Sequence, residues 1–191
     1  MERSKLLFWR RYLRRPLGVG ALAPSGARLA RAMIETLAPG DKDVIVEIGP
    51  GTGPFTRALI DAGVEPSRLI LVEFDAEFVR HLRQRFPGVT VLQGDASRLP
   101  QLLKQQGHET VPRILSGLPL RSMPNAVRSA ITRAMATSLA SQGSLVQFSY
   151  FAAPPLAETE VKALGLTGRR ARAVMANIPP AFVWHYRKNA A

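Results

Sequence analysis

The 191-residue chain contains no cysteine. That absence excludes a disulfide framework, thiolate metal sites, thioredoxin-type chemistry and cysteine nucleophiles together. Histidine is almost missing too: His81, His108 and His185 are scattered, and no metal site is expected from them. Acidic residues are absent from one end and scarce at the other. Lys and Arg against Asp and Glu number 8 and 2 over residues 1–40, 12 and 12 over 41–160, and 6 and none over 161–191, so the net charge of +12 sits entirely at the ends. A neutral centre between basic ends suits a small-molecule domain whose termini meet something anionic, either nucleic acid or a membrane surface.

Long apolar runs are lacking as well. The longest uncharged stretch, Ala134–Ala157, is broken by Thr137, Ser138, Ser141, Gln142 and the Pro154-Pro155 pair, so no bilayer span is expected. The run Leu6–Trp9 has four residues where a secretory leader needs about 7–15. With 46% hydrophobic and 21% charged residues, the chain has ordinary globular composition, and its length suits one domain.

From Asp43 onward, short β-branched runs alternate with helical stretches, the pattern of βαβ units on a parallel sheet. Strands are expected at Val44–Ile48, Leu69–Glu73, Val89–Leu92, Arg113–Ser116, Ser144–Tyr150, Arg170–Ala176 and Ala181–Tyr186. Helices are expected at Phe55–Ala62, Ala76–Phe86, Ser97–Gln105, Asn125–Leu139 and Leu156–Leu164. The link Asn177–Pro180 is too short for a parallel crossover, so the last two strands should be antiparallel neighbours.

The first strand ends in VEIGPGTGPF, residues 46–55, which places Gly49, Gly51, Thr52 and Gly53 in a strand-to-helix turn. A backbone can approach a ligand closely there, and helix N–H groups point at it. No Lys-Ser/Thr follows, so this is not a phosphate-binding P-loop, and the GxGxG spacing with Pro54 departs from the dinucleotide fingerprint. Glu73 closes the second strand 22 residues after Gly51, where an acid can take two ribose hydroxyls. Asp95 closes the third strand, where a carboxylate can accept from an exocyclic adenine amine or simply cap the next helix.

On these residues the chain resembles the class I S-adenosylmethionine-dependent methyltransferases over about residues 43–150. The resemblance implies a Rossmann-like α/β fold, a seven-stranded, mostly parallel sheet with an antiparallel last strand. It implies S-adenosyl-L-methionine as cofactor, with Gly49–Gly53 cradling its methionine part and Glu47 helping to hold the amino group. Glu73 and Phe74 would then serve the ribose, Gly94, Asp95 and Ala96 the adenine, and Ser116 the edge shared with the acceptor. Residues 41–191 would form this domain, and residues 1–40 a basic amphipathic helix and a substrate-side helix.

The fourth strand runs into Ser116-Gly117-Leu118-Pro119-Leu120. Nucleobase amino-methyltransferases carry an Asn or Asp, then x-Pro-aromatic, at this corner, where the ring stacks a flipped base. Gly117 stands in the amide's place and Leu120 in the ring's, which weighs against a nucleic-acid acceptor. At the N-terminus, Leu6, Trp9, Tyr12 and Leu13 fall on one side of a helical wheel and Arg10, Arg11, Arg14 and Arg15 on the other, with Lys5 at the boundary. Such a helix suits a membrane interface and anionic lipid.

Both ends together make the chain resemble the bacterial phospholipid N-methyltransferases of the peripheral, PmtA type. The residues carrying that likeness are Gly20–Ser25, VEIGPGTG, the corner SGLPLRSMP (Ser116–Pro124), Gln147–Tyr150 and Asn177–Tyr186. The resemblance implies methylation of phosphatidylethanolamine toward phosphatidylcholine by a monomer held peripherally at the inner face of the cytoplasmic membrane. Ser116, Gly117 and Leu118 would supply carbonyls to the amine, and Tyr12 and Tyr150 aromatic faces to the methylated cation. The family's relatives include rRNA adenine dimethylases, so adenine N6-methylation of rRNA is the alternative.

Overall fold

The computed structural model describes residues 24–190. Seven strands, β1 (Ile45–Ile48), β2 (Leu69–Glu73), β3 (Thr90–Gln93), β4 (Val111–Ser116), β5 (Leu139–Ser149), β6 (Leu166–Val174) and β7 (Ala181–Lys188), form one sheet in the order β3-β2-β1-β4-β5-β7-β6. Strands β1 to β5 pair in parallel, and β7 is antiparallel to both β5 and β6. The helices are α1 (Pro24–Leu37), α2 (Pro54–Asp61), α3 (Ala76–Arg85), α4 (Leu99–Lys104), α5 (Asn125–Ser138) and α6 (Glu158–Ala163). This is the Rossmann-like architecture expected from the sequence.

Alternation along the strands explains the two layers. Val46, Ile48, Ile70, Val72, Ile114 and Leu145 point to one face, where α4 and α5 cover them with Leu99, Leu103, Ile131 and Met135. Ile45, Leu69, Leu115 and Val146 point to the other, beneath Leu29, Met33 and Leu37 of α1 and Phe55 and Leu59 of α2. Both faces are dry, so β1 and β2 are buried along their whole length, as parallel central strands require. The acidic members of the alternation, Glu47 and Glu73, fall on the α2 face at the strand ends. Helix α1, within the N-terminal section read from the sequence as residues 1–40, packs on α2 and β5 and shares their core.

Some boundaries differ from the sequence reading. β6 begins at Leu166, not Arg170, because Gly168 lies inside the strand: a Cβ there would come within 2.5 Å of the buried Tyr186 ring. A glycine that reads as a breaker is here the space for a ring. β5 starts at Leu139, directly from α5, and reaches its register with β4 through a bulge around Gln142, whose φ is 58°. β3 is shifted one residue later, β4 starts earlier at Val111, and α6 is shorter than expected, because Leu156 is buried ahead of the helix.

Candidate active site

The carboxyl ends of β1 to β4 converge on the glycine loop. Gly49 N–H donates to Val72 O (3.0 Å), Gly53 N–H to Pro50 O (2.8 Å), and Arg85 Nη1 to Thr52 O (2.8 Å), which tie the loop to β2 and α3. The three glycines all have positive φ but answer to different needs. A Cβ at Gly49 would lie 2.3 Å from Leu118 Cδ2, and one at Gly53 would lie 2.4 Å from the Phe86 ring. Those two are demanded by packing within the protein. At Gly51 a Cβ would meet nothing within 4 Å, so of the three loop glycines this one faces open space. The sequence had assigned all three to the cradle.

Glu73 is buried and its carboxylate is already engaged. Oε2 accepts from Gly51 N–H (3.1 Å), and Oε1 accepts from the N–H groups of Phe74 (2.8 Å) and Asp75 (3.0 Å). Burial pushes its pKa up, and the three backbone donors oppose that. Glu47 is fully enclosed. Its Oε2 accepts from Thr56 Oγ1 at 2.6 Å, while Oε1 has no hydrogen-bond partner. Burial above all pushes Glu47 up to about 7; the Thr56 hydrogen bond opposes the shift, and the Glu73 charge adds to it. Glu47 is thus a buried carboxyl held under α2 by Thr56. Thr56, which fixes it, escaped the sequence reading. Its only signal was a polar residue on the buried side of an amphipathic helix.

At β3, Asp95 Oδ1 accepts from Ser97 N–H (2.9 Å) and Ser97 Oγ (2.8 Å), capping the 3₁₀ turn Ala96–Arg98. The capping use is therefore real, and it occupies one of the two oxygens. Ala96 is buried next to it, and Gly94 is held by the close approach of Leu102, whose Cδ1 would lie 2.6 Å from a Cβ. Phe74 is half-buried and packs on the core.

The β4 corner sits against the loop. Gly117 N–H donates to Ile48 O (2.8 Å), and a Cβ at Gly117 would lie 2.8 Å from Gly49 O, so no side chain fits there without moving backbone. Leu120 is buried in the core and presents no face to a ligand. Ser116 is buried, its Oγ facing Leu118 N–H at 3.4 Å. Gln147, which the sequence reading did not assign to the site, is buried on β5. Its Nε2 donates to Leu118 O and Phe148 O, both at 2.8 Å, and its Oε1 is unpartnered. An amide within the apolar run Leu145–Phe148 was the signal for it. Tyr150 stands beyond β5 with its ring edge-on to Phe148 (5.3 Å between centroids), and Phe148 meets Phe55 of α2 in the same way at 5.8 Å.

Tyr12 and the membrane-facing set Lys5, Leu6, Trp9, Arg10, Arg11, Leu13, Arg14 and Arg15 lie outside the described residues. Among the described residues, no helix is long and apolar enough to cross a membrane, and no cluster of His, Asp and Glu could hold a metal. His185 lies in β7 with Nε2 3.0 Å from Ser144 Oγ, far from the loop, and its pKa is lowered by burial and by Arg169, Arg187 and Arg113. A cavity of about 540 Å³ beside it, lined by Gln142, Thr167, Arg169 and Arg187, opens at the opposite end of the sheet and holds none of the three strand-end acids.

Open space at Gly51, acids at three adjacent strand ends and an enclosed carboxylate without a second partner fit a cationic, adenosine-bearing ligand. Comparison with known proteins agrees. The methyltransferase domain family matches residues 45–143. An ornithine lipid N-methyltransferase from Singulisphaera acidiphila is 33% identical over 146 residues, covering 75% of this chain and 76% of that protein. A ribosomal RNA small subunit methyltransferase from Arabidopsis thaliana is 48% identical over only 59 residues, 28% of this chain and 16% of that one. Among solved structures, the N-methyltransferase NodS from Bradyrhizobium japonicum, in complex with S-adenosyl-L-homocysteine, superposes with a TM-score of 0.68 at 17% identity, covering 93% of this chain and 97% of that one.

Proposed function

The chain belongs to the S-adenosylmethionine-dependent methyltransferases, and we propose that its acceptor is the amine of phosphatidylethanolamine, methylated stepwise toward phosphatidylcholine at a membrane surface. The observation that carries this reading is the β4 corner. Backbone fills the place of a side chain at Gly117, and Leu120 is buried, so the corner offers neither amide nor ring to a flipped base. The lipid N-methyltransferase that resembles this chain over three quarters of both proteins supports the same acceptor class, since ornithine and ethanolamine headgroups both offer an amine.

When bound, S-adenosylmethionine would supply a methyl group activated on its sulfonium sulfur, for in-line transfer to an amine lone pair with the neutral thioether as leaving group. The chain's task is then to position a neutral amine. An alkyl ammonium has a pKa near ~10, so it must be desolvated and must find acceptors for its N–H groups. Of the three carbonyls expected there, those of Ser116 and Gly117 are the acceptors, because Leu118 O already accepts from Leu120 N–H (2.9 Å). Gln147 Nε2 takes the other lone pair of Leu118 O (2.8 Å) and holds the corner in place. Tyr150, and Tyr12 from the N-terminal section, offer ring faces to the cation as methyl groups accumulate. Residues 1–15 bring the protein to anionic lipid at the inner face of the cytoplasmic membrane.

The test is incorporation of labelled methyl from the cofactor into three acceptors: phosphatidylethanolamine vesicles, ornithine-lipid vesicles and under-methylated rRNA. Label in phosphatidylethanolamine supports the proposal. Label in ornithine lipid alone moves the substrate within the lipid class, and label in rRNA alone overturns the lipid reading.

A further inference from the structure

Three large apolar side chains among the described residues stand exposed, and all three lie at the end of the sheet that carries the glycine loop. Met175 (66% exposed) and Ile178 (88%) are in the turn joining β6 to β7. Phe151 (56%) follows β5. The register fixes their common position: Val174 faces Ala181 where the hairpin turns, and Phe182 faces Ser149 at the end of β5, so the turn and Phe151 project beyond the same edge.

The turn is built rather than loose. Asn177 is buried, its N–H donating to Val174 O (3.2 Å) and its Nδ2 to Pro179 O (2.6 Å), and this frame holds Ile178 outward. Phe151 is tied to the acceptor corner, because the Arg121 guanidinium lies 5.5 Å from its ring centre and Arg121 Nη1 donates to Pro154 O (2.7 Å). Behind the apolar tips, the exposed edge strand β6 carries Arg170, 5.8 Å from the Phe182 ring centre, and Arg172, which also meets Glu35 (3.0 Å), and residues 161–191 contain no acid at all. Apolar tips ahead of long cationic side chains match a bilayer, with hydrocarbon beneath and anionic headgroups at the level of the guanidinium groups.

We propose that the β6–β7 turn and Phe151 form a second bilayer-contact surface, independent of residues 1–15, which seats the acceptor corner directly over lipid headgroups. The inference deepens the lipid reading and rests on it. Its occupant is a membrane containing anionic lipid. Arg121 is the link by which the seated surface reaches the corner that receives the amine.

The absence of cysteine makes the test clean. Full-length protein carrying Ile178→Cys, labelled with an environment-sensitive fluorophore, is mixed with vesicles of phosphatidylethanolamine and phosphatidylglycerol, alongside Gln106→Cys at the opposite end of the sheet. A blue shift on vesicles at position 178 and none at 106 supports the proposal. A label at 178 that stays in water while the protein sediments with vesicles overturns it. A label already blue-shifted without vesicles also overturns it, because the chain itself then covers the surface. The double variant Met175→Asp with Ile178→Asp should reduce vesicle binding and methyl transfer to vesicle phosphatidylethanolamine by roughly tenfold or more, with transfer to monomeric short-chain phosphatidylethanolamine and cofactor affinity unchanged. Unchanged vesicle binding in that variant refutes the surface. If the wild type methylates neither form of the lipid, the substrate reading fails while the label at 178 still decides the docking.

Discussion

Replacing Glu47 by Gln removes a buried titrating group while keeping an oxygen for Thr56 Oγ1. In the folded protein Glu47 titrates at about 7, against an ordinary value of 4.5. Between those values the native state binds a proton that the unfolded chain has already released. Stability therefore falls as pH rises through this window, and the gap corresponds to about 3 kcal/mol at about 1.4 kcal/mol per pH unit. Below pH 4.5 both states are protonated and the effect vanishes; above 7 it is fully developed. Glu73 is shifted in the same direction, so the variant should lose most of the slope but not all of it. Urea unfolding of cofactor-free wild type and Glu47→Gln at half-unit intervals from pH 4.5 to 8 measures the difference in slope. The slope is unaffected by any constant penalty from the new amide, whose nitrogen replaces the unpartnered Oε1. A cationic ligand favours ionised Glu47, so wild-type affinity for S-adenosylmethionine should rise as pH passes upward through 7, and the variant should bind more weakly with a flatter profile. Parallel stability curves for the two proteins would refute a displaced titration at Glu47 and remove its electrostatic role at the site.

Other outcomes follow from the same geometry. Gly51→Asn, whose side chain tolerates the φ of 57°, should fold with a stability loss of about 1 kcal/mol yet bind S-adenosylmethionine at least tenfold more weakly by calorimetry; unchanged affinity would show that the loop does not cradle it. Gly117→Asn forces a Cβ against Gly49 O and should cost about 1–3 kcal/mol in chemical unfolding together with loss of activity, whereas an unaltered midpoint would contradict the contact. Asp95→Ser keeps a capping oxygen for Ser97 N–H and should leave stability within about 0.5 kcal/mol while weakening cofactor binding; normal binding would reduce Asp95 to its capping role. Replacing Arg10, Arg11, Arg14 and Arg15 by Glu should abolish salt-sensitive sedimentation with anionic vesicles and leave cofactor affinity intact, and wild-type binding that ignores salt would refute the electrostatic contribution.

By itself the sequence determined the order of strands and helices, the antiparallel final hairpin, and the acids at the ends of the first three strands. These are local properties: periodicity, chain length between runs, and residue type at a strand terminus. It also weighed against a nucleobase acceptor, because Gly117 and Leu120 lack the amide and ring a base needs whatever their environment. Only the tertiary structure separated the glycines. Gly49 and Gly53 answer to Leu118 and Phe86, residues far away in the chain, whereas Gly51, of these three, faces open space. Gly168 lies outside the strand expected at Arg170–Ala176, and only the fold shows the Tyr186 ring filling the space beside it. Glu47 could be read as a ligand of the loop, but its enclosure, its bond to Thr56 and its raised pKa depend on α2 closing over the sheet. Gln147 and the clustering of Phe151, Met175 and Ile178 arise where β4, β5 and the β6–β7 hairpin meet, since strand register places neighbours that sequence spacing does not encode.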